Sequence, residues 1–127
     1  MGCFGVGISR LVMLLLDRQR DGRGFWGSDA LNTFEVVLTD WERQACRDAA
    51  QRLQRDLQAA GMSVLMDDRL VQAGKKLADA ALIACRQRVV VSRKAIASGR
   101  FEWMDRRTPA CESVSAEDLA GLRARWR

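Results

Sequence analysis

Three short apolar runs, set apart by two stretches of helical period, constrain this chain more than any other feature. Thr33-Phe34-Glu35-Val36-Val37-Leu38, Met62-Ser63-Val64-Leu65-Met66 and Arg88-Val89-Val90-Val91-Ser92 are too short for buried helices and rich in β-branched residues, which predicts strands. Between the first two, the segment from Trp41 to Ala60 places Cys46, Ala49, Ala50, Leu53 and Leu57 on one face, with Thr39-Asp40 as its N-cap and Gly61 as its C′ residue. A second helix from Lys75 to Ala84 turns Leu77, Ala78, Ala81 and Leu82 inward. Strands that alternate with helices are joined by crossovers, so the expected fold class is α/β, a mixed and mainly parallel sheet flanked by helices. Phe101-Glu102-Trp103-Met104-Asp105 alternates as a half-exposed antiparallel strand. Ser115 with Asp118 forms a capping box that opens a last helix carrying Leu119, Leu122 and Trp126.

The amino-terminal segment has a different character. From Gly2 to Ile8 glycines alternate with apolar residues, the pattern of a buried strand that something approaches closely, and Leu11 to Leu16 continue as an apolar helix. Arg10 would stand at the strand-to-helix turn. The apolar run is too short to span a bilayer, and its position after a glycine-rich strand does not suit a signal peptide. Gly22, Gly24 and Gly27 among Arg18, Arg20 and Arg23 break the periodicity from Asp17 to Gly27. The expected organisation is a strand and helix over 1–19, a linker over 20–32 and one α/β domain over 33–127.

Bulk properties narrow the chemistry. A net charge of +5, carried mostly by arginine, permits an anionic partner, although Arg43, Arg47, Arg52 and Arg55 alternate with acids as any solvated helix face does. The four cysteines, Cys3, Cys46, Cys85 and Cys111, have no Cys-x-x-Cys spacing and there is no histidine, which argues against a zinc site and for reduced thiols in the cytoplasm. A phosphate-binding P-loop and a carboxylate cluster at metal spacing are missing as well, so an independent nucleotide-dependent enzyme is disfavoured. Trp26, Trp41, Trp103 and Trp126 suit packing, with Trp103, on a half-exposed strand, the one candidate for stacking on a base.

The run Met1-Gly2-Cys3-Phe4-Gly5-Val6-Gly7-Ile8-Ser9-Arg10-Leu11 closely resembles motif 3 of class II aminoacyl-tRNA synthetases, in the version of the bacterial prolyl-tRNA synthetase family. Asp67-Asp68-Arg69, Gly74, Lys76, Ala78-Asp79-Ala80, Leu82-Ile83, Arg88-Val89-Val90-Val91 and Asp105-Arg106-Arg107 then follow that family's pattern in order and spacing. The resemblance implies the three-layer anticodon-binding domain of class IIa synthetases, preceded by a strand-helix remnant of the catalytic domain. It implies that Gly5, Gly7 and Arg10 belong to an ATP site, used with magnesium in a full-length enzyme and without a cofactor in isolation. Arg69, Lys76, Asp79 and Arg88 would line the crevice for a proline-tRNA anticodon stem-loop, at the strand ends where α/β sheets bind ligands. Arginine donates twice to guanine O6 and N7, and carboxylates accept from the amino and imino groups of a splayed base.

The departures carry expectations too. Gln72-Ala73-Gly74 stands where the family has Arg-Pro-Gly, which removes an RNA contact; Thr33 and Arg86 replace prolines, and Ser92 replaces a glycine after the third domain strand. Motifs 1 and 2 are absent, so no aminoacylation is expected from this chain alone. The alternative is a free-standing paralogue serving as an accessory or protein-interaction module, as a homodimer or docked on a partner through the motif 3 segment.

Overall fold

The structure is a computed structural model and describes residues 2, 5–25, 34–40, 44–108 and 110–122. Twelve elements follow in order among them: α1 (Ile8–Arg18), β1 (Arg20–Asp21), β2 (Gly24–Phe25), β3 (Val36–Asp40), α2 (Gln44–Ala59), β4 (Val64–Asp67), α3 (Ala73–Leu82), β5 (Gln87–Val91), α4 (Arg93–Ser98), β6 (Arg100–Asp105), β7 (Cys111–Ser115) and α5 (Ala116–Leu122). The β-branched and apolar residues of β3 lie at the centre of a five-stranded sheet of order β4-β3-β5-β6-β7. β3 pairs in parallel with both β4 and β5, while β6 runs against β5 and β7 against β6. Four strands therefore point one way and β6 alone is reversed, as expected of a mixed, mainly parallel sheet.

The chain steps from β3 to β4 on one side and then back across β3 to β5, so crossovers of one hand place α2 and α3 on opposite faces. The packing agrees. Leu53 and Leu57 of α2 and Leu119 of α5 enclose Val36, Leu38, Val89, Val91 and Trp103 on one face, each aliphatic side chain there stabilising by roughly 1.5 to 3 kcal/mol. A smaller cluster joins Val37 and Cys85 to Ala80 of α3 on the other. Three layers result. Among the described residues no helix is long and apolar enough to cross a membrane.

Several expectations need correction. Gly2 and residues 5–7 are not in a strand, Ile8 is already helical and Gly7 is the N-cap of α1. A strand needs a neighbour's hydrogen bonds, and among the described residues this segment pairs with none. Thr39 and Asp40, expected as the N-cap of the first helix, belong to β3, which β5 keeps paired to its end, and residues 41–43 between them and α2 lie outside the described residues. Trp103 is buried in the core and offers no stacking platform. Ser92, far from loosening the turn after β5, caps α4 by accepting a hydrogen bond from Ala95 N–H, and Gly99 ends that helix at φ 66°. Neither α4 nor β7 was expected; β7 buries only Val114 and so shows no alternation. The Ser115 to Asp118 cap forms as read, with Asp118 N–H donating to Ser115 Oγ at 3.1 Å. Thr33, Trp26, Trp41 and Trp126 lie outside the described residues.

The stretch expected as a linker begins with structure of its own. Gly22-Arg23 closes a tight hairpin, β1 against β2, which packs on α3. Gly24 allows that docking, because at φ 126° a Cβ there would stand 2.5 Å from the Ala81 carbonyl oxygen. α1, by contrast, has no buried residue, and Val6, Ile8 and Met13 are more than two-thirds exposed.

One buried ion pair ties the helical layer to the strand ends. Lys76 of α3 is 3% exposed; its ammonium donates to the Asp40 carboxylate, to the Asp67 carbonyl at 3.1 Å and to the Asp40 carbonyl at 3.4 Å. All three protons have acceptors. Breaking such a pair strands a carboxylate in a poorly solvated place, so Lys76→Met should lower the unfolding free energy in a denaturant titration by about 3 kcal/mol, and adding Asp40→Asn should restore part of it. A Lys76→Met protein as stable as the parent would contradict this. Because α1 has no buried residue, removing residues 1–19 should leave the cooperative thermal transition unchanged; its loss would mean that this segment supports the domain.

Candidate nucleic-acid interface

At the carboxyl end of β4 the chain leaves the sheet through Asp67-Asp68-Arg69, and a groove of about 500 Å3 opens there against α3. Leu65, Met66, Leu82 and Ile83 form its apolar walls, while Asp67, Asp68, Arg69 and Asp79 supply the polar groups. Asp67 starts the turn by accepting from Arg69 N–H at 3.2 Å. The same carboxylate then grips the Arg69 guanidinium twice, from Nε at 2.9 Å and from Nη2 at 2.7 Å, and Asp79 takes a further bond from Nη2 at 2.8 Å. Nη1 alone has no partner among the described residues. Arg69 is thus held in one pose with half its side chain in solvent and two donors on offer.

Charge follows from this geometry. The Arg69 hydrogen bond draws the Asp67 carboxyl below the usual range against the opposing effect of burial, and Asp67 and then Asp79 raise Arg69 further. Both stay ionised at neutral pH. Solvent screens the Arg69 contacts, so their value is pre-organisation more than stability, which for exposed pairs is under about 1 kcal/mol. Three acids and one arginine line the groove, a balance that repels phosphates and suits the N–H groups of a base edge. Behind the groove, Arg47 of α2 donates to the Asp68 carbonyl at 2.5 Å and lies 3.7 Å from Asp40, bracing the turn from the other layer.

Of the four residues expected in one crevice, Arg69 and Asp79 meet in direct contact. Lys76 lies behind them with its ammonium turned inward, where it positions β4 and leaves no donor for a ligand. Arg88 lines a different cavity, on the α3 face of the sheet beside β6, which shares no lining residue with the groove. Asp67 and the apolar pair Leu82-Ile83 join the groove without having been singled out as site residues, although Asp-Asp-Arg at a strand end was a readable signal. Gln72, at the position of the family's arginine, precedes the first residue of α3 and provides no side-chain cap.

Gly5, Gly7 and Arg10 are exposed at the start of α1. Among the described residues nothing lies within 4 Å of where a Cβ on Gly5 would be, and the one on Gly7 would meet Arg10 alone, at 3.5 Å, so these residues by themselves offer a nucleotide no enclosing wall. Among the described residues no group of three or more cysteines or acids is placed to hold a metal. Cys46 and Cys85 are buried, and burial pushes the Cys85 thiol up to about 11, which leaves it unreactive.

Residues 34–123, from two residues before β3 to one past α5, match a family model described as "Anticodon binding domain". The chain is 37% identical over 131 aligned residues to the proline--tRNA ligase of Methylibium petroleiphilum, in an alignment that covers 100% of this chain and 22% of that protein. It therefore spans about a fifth of the length of that curated relative. By that match, and with an α/β sheet of the expected mixed kind, the chain belongs to the anticodon-binding domain family, related to prolyl-tRNA synthetases.

Proposed function

We propose that this chain binds tRNA through the anticodon loop, as the anticodon-binding portion of a divergent prolyl-tRNA synthetase that contributes to recognition of proline tRNA. The observation that carries the reading is the Arg69 guanidinium, clamped by Asp67 and Asp79 beside an apolar groove at the end of a parallel strand. A base turned out of its stack rests on Leu82 and Ile83. Guanine then offers O6 to the free Nη1 of Arg69 and its N1–H and amino group to a carboxylate, with Asp79, one-third exposed, the better placed acceptor. Proline anticodons share two guanines, which matches a groove built to accept from N–H donors. The role is binding, and ligation belongs to a complete enzyme, where ATP with magnesium would engage Arg10 only beside the rest of a catalytic domain.

A second reading, an accessory module that docks on another protein or on its own copy, draws support from α1, whose leucines, valine and methionine bury nothing within the chain. RNA binding separates the two. A proline anticodon stem-loop should bind more tightly than one with both guanines replaced, and Arg69→Ala should remove that discrimination, a loss of about 1 to 3 kcal/mol. Asp79→Asn should do the same, because an amide no longer accepts from both guanine donors. Equal affinity for the two stem-loops, unchanged by Arg69→Ala, would reject base reading and favour the docking module.

A further inference from the structure

A second cavity, of about 240 Å3, lies under α3 beside the hairpin, and four arginines line it: Arg23, Arg86, Arg88 and Arg106. Two of them have counter-charges. Arg86 Nε is 3.2 Å from Asp105 Oδ2, and Arg106 Nη2 is 2.6 Å from Asp21 Oδ1 of the hairpin, which draws the Asp21 carboxyl below its ordinary range. Among the described residues no carboxylate is paired with the guanidinium of Arg88 or Arg23, although Asp21 accepts from the Arg23 backbone N–H at 2.7 Å and feels its charge. Arg88 is half-buried: Nη1 reaches the Leu77 carbonyl at 3.3 Å, Nη2 reaches Met104 Sδ at 3.1 Å, and its buried Nε finds no acceptor. Arg106 Nε is buried without an acceptor as well.

Such a cluster is out of balance. Buried charges are ordinarily paired, and arginine does not escape the cost of burial by giving up its proton. Desolvation lowers the pKa of Arg88, Cys111 opposes it and the neighbouring Arg106 adds to the lowering, so burial works against this cation. What would satisfy it is an anion that accepts several hydrogen bonds and offsets two positive charges. The cavity is below the roughly 300 to 1,000 Å3 of pockets that enclose a whole small molecule, so it takes a terminal group. A phosphate monoester fits both demands, carrying up to two charges near neutrality and matching the guanidinium fork.

We propose that this cavity binds a phosphate monoester group, with Arg88 as its central cation and Arg23 and Arg106 closing it from the hairpin side. The site is independent of RNA reading at Arg69, and a chain that reads no anticodon would still have it. The hairpin is part of it, because Gly24 lets β2 lie against α3 and so brings Arg23 to the rim.

Titration of the full chain with methyl phosphate, followed by phosphorus NMR and by the thermal unfolding midpoint, tests the proposal. Saturable binding with a raised midpoint is expected, as for any ligand that prefers the folded state. Dimethyl phosphate, a monoanion of similar shape, should bind more weakly by about tenfold or more, and Arg88→Met should lose a similar factor. Arg23→Gln, a change at an exposed residue that buries nothing, should weaken binding without altering unfolding in the absence of ligand. Arg52→Gln, on α2 across the sheet, should leave affinity unchanged. Absence of saturation, equal affinity for the diester, or affinity unchanged in both Arg88→Met and Arg23→Gln would overturn the proposal.

Discussion

Lys76 brings a buried ammonium to the point where α3 meets the carboxyl ends of β3 and β4, and the candidate groove depends on that meeting. Its bonds to Asp40 and to the Asp67 carbonyl set where β4 stops. The residue that stops it, Asp67, is also the one that clasps Arg69. A surface arginine would ordinarily sample many rotamers; this one is restrained because its partner is anchored from behind by a fully paired cation. The stability of the strand edge and the orientation of the groove's cation thus share one origin, and a change at Lys76 reaches both.

The anionic groove and the cationic cavity divide the electrostatics of the chain. The net charge of +5 gave a general licence for an anionic partner, yet the groove at β4 holds more acids than bases. Base edges present N–H donors as well as acceptors, and a mixed groove reads them without attracting every phosphate nearby. The unmatched positive charge lies elsewhere, under α3, at Arg88 and at Arg23, which arrives on the hairpin from a stretch of sequence that looked featureless.

What the sequence disclosed follows the reach of each physical signal. Periodicity located α2, β4, β5 and β6 because each buries one continuous face, and it found α3 but not its inward face, since Ala73, Lys76 and Ala80 are buried while Ala78 and Leu82 are exposed; the alternation of strands with helices was enough for the sheet and its layers. The Asp-Asp-Arg turn and Asp79 were legible as a site because strand ends of parallel sheets project side chains into crevices. The sense of Lys76 was not. A lysine at the head of a helix reads as a solvent-facing ligand contact until Asp40, 36 residues away in sequence, is seen to hold it. Trp103 looked half-exposed because alternation reports which side a residue faces and not what covers it, and α4 and α5 with α2 close that side. The expected strand at Gly2 to Ile8 lacked the one thing that sequence cannot supply, a neighbour to pair with.

The central claim is that the Arg69 groove meets an anticodon. Backbone amide shifts of the full chain, followed by nitrogen–proton NMR while a proline anticodon stem-loop is added, report on it residue by residue. The account predicts the largest changes at residues 67–70 and 79–83, around Arg69, Asp79 and the Leu82-Ile83 wall, with the α2 and α5 face silent. Changes confined to α1, or spread evenly with the exposed arginines and erased by moderate salt, would contradict it.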